Sequence, residues 1–374
     1  MKKAVVYLFL MVLLAAVAGH AADIFRPAWQ VKIGPPLNSS PVITATGMIL
    51  IGADDGTLFA VDQTKQVIWT AKTNGAIRAS PALGNGQIYV GTMEGVLHAF
   101  SEKGESLWQA KIGRAISASP SVAPDGTVVV CATDGLCQGV TPDGVTLWTD
   151  QIEGSVYASP AVGKDGSIFV PSFSSHLVRL DNQGFMEWEK PIAGLIYSSP
   201  AVGKEGTVYL GSSEGEVVAI SPKGDILWKY PVGASVRSSP VVGPDETIYV
   251  GTDDARLLAL TGVGKLRWQA SVGSPVISSP LILADGGVVV FGREGVIMVF
   301  SNEGSIRWRF QTGGKMSSSP ILTADGLILS ASQNGTLSAF YGGEAGIASC
   351  CWPQFRGTGD ISIPSEPTPP TTIK

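Results

Sequence analysis

From about residue 26 onward, apolar residues come in short runs of four to six, rich in Val, Ile, Leu and aromatic types. Short polar segments carrying glycine separate the runs. The stretch IYSSPAVGKEGTVYLGSSEGEVVAISPKGDILW, residues 196–228, shows the pattern whole. Its four apolar, β-branched runs are parted by Lys-Glu-Gly, Ser-Glu-Gly and Pro-Lys-Gly, each placing glycine where a hairpin needs a positive φ. Runs of this length between such breaks predict strands, not helices. The unit is a four-stranded antiparallel sheet.

The unit repeats in strict register. Ser-Pro recurs with proline at Pro41, Pro81, Pro120, Pro160, Pro200, Pro240, Pro280 and Pro320, at intervals of 40 residues with a single 39. Twelve residues before each proline stands a tryptophan: Trp29, Trp69, Trp108, Trp148, Trp188, Trp228, Trp268 and Trp308. Four strands per ~40 residues is the signature of a propeller blade, and eight units predict an all-β, eight-bladed β-propeller. Proline cannot donate to a ladder, so it belongs on the inner edge strand, which it also blunts. Each tryptophan falls on the fourth, outer strand, where a buried ring removes ~150–250 Å² from water. Packing between blades is their expected role, not cofactor binding.

Strand arithmetic predicts how the ring closes. After residue 34 the chain supplies eight first, second and third strands but only seven fourth strands between blades. The eighth is expected from FRPAWQVKI, Phe25 to Ile33, paired with TLSAFY, Thr336 to Tyr341. Trp352 is a rival claimant for that slot. It is a ninth repeat tryptophan, displaced by four residues that include Cys350 and Cys351. The N-terminal strand is expected in the ladder, with Trp352 over the seam. The segment 348–360 is then a closure latch, and 361–374, with four prolines in its last twelve residues, a mobile extended tail.

The blade text SSPAVGKEGTVYLGSSEGEVVAISPKGDILW resembles the quinoprotein-type repeat over about residues 26–341. That repeat occurs in quinoprotein alcohol dehydrogenases and in non-catalytic relatives, including the propeller lipoprotein of the outer-membrane β-barrel assembly machinery. WPQFRGTG, Trp352 to Gly359, is similar to a stretch that in this family commonly precedes the first blade. The resemblance implies the fold strongly and the function weakly, because such blades host unrelated roles. A catalytic member would need pyrroloquinoline quinone over a tryptophan floor, calcium and a catalytic aspartate, held mostly in long insertions. The near-constant repeat leaves no room for these. The acidic residues, Asp125, Asp165, Glu205, Glu214 and Asp285 among them, mostly precede turn glycines, where they are favoured locally. No cofactor, no metal and no catalytic residue are therefore expected. Quinone with calcium belongs only to the alternative reading, a small dehydrogenase.

The N-terminus reads as a secretory signal over 1–21: two lysines, an apolar run from Ala4 to Ala18, then small residues. The competing reading is an anchor helix, but fifteen residues fall short of the ~20 that span a bilayer. No cysteine follows the run, so a lipid anchor is not expected. Residues 22–347 are assigned to the propeller. With 15% charged residues and a net charge of −5, nothing suggests a nucleic-acid partner.

Chemistry is sparse. His20 leaves with the signal, and His98 and His176 stand alone without a zinc pattern. Cys131 and Cys137 replace Gly211 and Val217 of the fifth blade and flank a turn, which places their Cβ atoms within disulfide reach. Cys350 and Cys351 are left as a vicinal bridge or as free thiols. The informative variation lies three residues before each proline: Asn38, Arg78, Ser117, Tyr157, Tyr197, Arg237, Ile277 and Ser317. One such side chain per blade at one height predicts a ring at the channel, for an anionic or aromatic group. The bland alternative is that they plug it. The sequence thus reads as an exported, monomeric binding or scaffolding propeller in the periplasm or outside the cell. Its partner is an unknown protein or envelope component, and the further alternative is an outer-membrane assembly factor.

Overall fold

The computed structural model describes residues 27–341 and 354–355. It contains eight four-stranded antiparallel sheets, each in spatial order one to four from the channel outward. The fifth blade runs Ala201–Val202, Val208–Gly211, Glu216–Ile220, Ile226–Pro231. The predicted closure is observed. Trp29–Lys32 forms the fourth strand of the last blade and pairs with Thr336–Tyr341, with Trp29 opposite Ala339 and Val31 opposite Leu337. No helix among the described residues is long and apolar enough to cross a membrane. The signal segment, Cys350, Cys351, Trp352 and the tail lie outside the described residues. Of the latch only Gln354, which is buried, and Phe355 are described.

Among the described residues there is no single core. Eight apolar clusters fill the eight gaps between neighbouring blades, such as Tyr209, Val217 and Val236 against Val242, Val250 and Leu258. Second and third strands are therefore buried on both faces, while each fourth strand alternates between half-buried and exposed positions.

Two repeated residues act differently from the sequence expectation. The proline stands immediately before the short first strand, not within it. The serine before it does the edge work: the Ser40 N–H donates to Ser80 Oγ at 2.9 Å, Ser80 to Ser119, Ser119 to Ser159, Ser159 to Ser199 and Ser199 to Ser239. Ser279 donates to Ser319, and Ser319 back to Ser40. This belt gives otherwise orphaned inner-edge donors a partner in the next blade. The tryptophans are half-buried instead of fully enclosed. Each of six indoles covers the glycine of the next blade's outer hairpin turn; a Cβ on Gly264 would come within 2.6 Å of Trp228. Cys131 and Cys137 face each other across one ladder and are bonded.

Candidate functional site

In each blade the strands alternate in direction. The turn between second and third strands therefore opens on the same face as the connection entering the blade. Backbone bonds lock the two together, as from the Asp54 N–H to Pro36 O, Phe173 to Ser155 and Asp253 to Ser235. The eight candidate residues sit in these connections, at the channel mouth. They do not form one ring of equals.

Over blades eight, one and two runs a polar chain. Ser317 Oγ and Gln333 Nε2 donate to Asn38 Oδ1, and Asn38 Nδ2 donates to Asp54 Oδ2 at 2.9 Å. Arg78 Nε meets the other oxygen of Asp54 at 3.3 Å. Across the channel, Arg237 Nε contacts both oxygens of Asp253 at 2.9 and 2.8 Å. Each arginine thus has a carboxylate already beside it, so neither presents an unpaired charge to an anion. Over blades four and five the mouth is aromatic. Phe173 lies between Tyr157, centroids 4.6 Å apart, and Tyr197, at 4.7 Å edge-on. Both tyrosines are exposed, 46% and 41%. Ser117 Oγ is shielded with no partner among the described residues, and Ile277 is half-buried.

The residues that organise this face were missed in the sequence reading: Asp54, Phe173, Asp253 and Gln333, all from the turns. Their signal was available, because they form a second variable register in the same repeat. In blade four the turn is Ser172-Phe173-Ser174-Ser175, with Ser175 at φ 66° where most blades have glycine. No acid occurs there, so the aromatic sector is uncharged at its centre.

Neither histidine joins the mouth. His98 is buried with Nε2 2.9 Å from Asn74 Oδ1, and burial pushes its pKa below the ordinary value. His176 Nδ1 lies 2.8 Å from the Ser174 carbonyl. Among the described residues, no three His, Cys, Asp or Glu side chains converge in a way that could hold a metal ion.

Residues 26–108, 93–241 and 235–345 match the family model described as outer membrane protein assembly factor BamB. The crystal structure of BamB from Moraxella catarrhalis is similar with a TM-score of 0.71 and 16% identity, covering 84% of this chain and 97% of that one. A computationally designed protein, Ika8, is similar with a TM-score of 0.68 and 17% identity over 82% of this chain and 96% of its own. Identities this low carry the fold alone. No curated protein matches the chain in sequence. Together the matched ranges span every blade, and the chain belongs to the family described as outer membrane protein assembly factor BamB.

Proposed function

We propose that this protein is an exported, non-catalytic scaffold of the cell envelope that docks proteins on its channel-mouth face and serves in outer-membrane protein assembly. One observation carries the reading: two registers of the repeat that change from blade to blade in charge and aromatic character both open on the mouth. Constant positions build blades; variable ones, grouped into a polar arc and an exposed aromatic arc, make a surface that differs from sector to sector. Exposed aromatic groups flanked by polar neighbours are the usual anchors of protein interfaces. The family description, outer membrane protein assembly factor, supports the assembly role and an envelope location.

The test is a photo-crosslinking residue placed singly at Tyr197, at Arg78 and at Lys223 on the opposite face, in cells of the native host. Adducts with envelope proteins are expected from the two mouth positions and not from Lys223. Equal adducts from both faces, or none from the mouth, would overturn the reading.

A further inference from the structure

On the outer rim the eight repeats serve as controls for one another. Five blades carry aspartate in the turn between first and second strands: Asp125, Asp165, Asp245, Asp285 and Asp325. In three of them an arginine of the same blade reaches that carboxylate. Arg179 meets Asp165 at 3.4 Å, and Arg267 and Arg307 pair with Asp245 and Asp285. Burial pushes these carboxyls up, but hydrogen bonds from the turn and the guanidinium outweigh it and hold all three below the ordinary value. Arg179 also donates to the Pro222 carbonyl and lies 5.8 Å over the Phe169 ring.

Blade three has the carboxylate without the arginine. Forty residues before Arg179 stands Gly139, and at the register of Arg267 and Arg307 stands Leu147. Asp125 accepts the Thr127 N–H at 3.0 Å and, among the described residues, pairs with no cation. The neighbouring tryptophan has moved into the space. Trp148 lies so close over Gly139 that a Cβ there would sit 2.2 Å from its Nε1. Trp69, Trp108, Trp188, Trp228 and Trp268 all donate their indole N–H to a carbonyl of the next blade. The Trp148 N–H is shielded and, among the described residues, has no acceptor. Asp150, two residues along and on the same strand face, has a shielded Oδ2 with no donor among the described residues.

These groups line a cleft of about 790 Å³ between blades three and four, together with exposed Leu147, Met186 and Phe185, the last 67% accessible. Among the described residues its lining contains two carboxylates and no lysine or arginine.

We propose that this cleft receives the arginine side chain of an extended, apolar-flanked segment of a partner protein. The guanidinium takes the place on Asp125 that Arg267 and Arg307 fill internally in blades six and seven. A planar guanidinium suits the site because it pairs with carboxylates and stacks on aromatic faces at once. Leu147, Met186 and Phe185 cover the apolar neighbours. The fourth strand, Thr146–Gln151, ends its sheet, so its outward backbone groups are open to an added strand. The cleft lies on the rim, so this inference stands independently of docking at the mouth.

Isothermal titration of the whole protein with acetyl-Leu-Arg-Leu-amide tests it, against the same peptide with uncharged citrulline and against free arginine amide. The arginine peptide binds most tightly, and citrulline or Asp125→Asn weakens it about tenfold. Leu147→Arg, an exposed position, supplies the internal guanidinium and abolishes binding. Leu107→Arg in blade two, whose turn carries Asn85 instead of aspartate, leaves it unchanged. The proposal is overturned by no peptide binding at millimolar concentration, by equal affinity for citrulline, or by undiminished binding to Leu147→Arg. Arginine amide binding as tightly as the peptide would also overturn it, in favour of a small-molecule site.

Discussion

Blade five and blade eight contain the same sheet built in two ways. Blade five is a continuous segment, Ala201–Pro231, in which Trp228 on the fourth strand faces Ala219 on the third. In blade eight Trp29 faces Ala339 in the equivalent pair, yet the strands come from opposite ends of the chain. The Gln30 to Ser338 side-chain bond spans 308 positions. A local hairpin therefore positions the fourth strand of blade five, while that of blade eight is held only by ladder hydrogen bonds and packing between opposite ends of the chain. Ala28, Trp29 and Ile33 lie against Leu337, Ala339 and the first-blade residues Ile49 and Ile51. The difference teaches that repeat register dictates the sheet, and that closure concentrates the stability of the ring in one short strand. Opening at either end disengages two blades together.

The strongest way to break the comparison is to remove residues 22–33. This deletes the whole fourth strand of blade eight, including the Trp29 contact with the cluster between blades eight and one. The loss expected is at least the ~3–5 kcal/mol of truncating a large aromatic core residue. In differential scanning calorimetry the main transition should move down and broaden. Synthetic FRPAWQVKI added in trans should restore part of it, because the vacated edge is still a template. A truncated chain that melts with the full-length protein would show that another segment occupies the slot.

A smaller effect tests the tryptophan contact that both blades use. Trp228 of blade five covers Gly264 in the outer turn of blade six, where φ is 76° and a Cβ would meet the indole at 2.6 Å. Gly264→Ala meets both a left-handed backbone and a blocked volume, so it should cost about 1–3 kcal/mol in urea denaturation. A change below a few tenths would mean that the ring yields freely and that the contact adds little.

The blades, their count and the crossing of the N-terminal strand were legible in the sequence because a repeat states the same rule eight times. Departure from the rule was legible where it introduced a residue with chemistry of its own, as at Cys131 and Cys137. The mouth was only half legible. Arg78 and Arg237 stand at one register, but Arg78 turns to Asp54 of the preceding blade and Arg237 to Asp253 of its own. That choice belongs to side-chain torsions, which spacing does not carry. Tyr157 and Tyr197 are 40 residues apart and look independent until Phe173, from a turn, joins them. Gly139 was the least legible, because a small residue inside a strand draws no notice until the neighbouring Trp148 is found without its hydrogen bond.

The finest difference between the two blades is one residue at the seam. Trp29 projects from the last blade toward the outer turn of the first, and the position equivalent to Gly264 there is Lys65, at φ 67°. A side chain in the left-handed region costs roughly 1–2 kcal/mol, and glycine removes that cost but adds freedom to the unfolded chain. Lys65→Gly should therefore stabilise by a few tenths to about 1 kcal/mol, the opposite sign to Gly264→Ala. Chemical denaturation of the two single variants and of the double variant gives both terms and their independence, since the sites lie in blades one and six. A loss of stability in Lys65→Gly would mean that the lysine stem itself packs at the seam, replacing at closure the bare-glycine contact that six other tryptophans make.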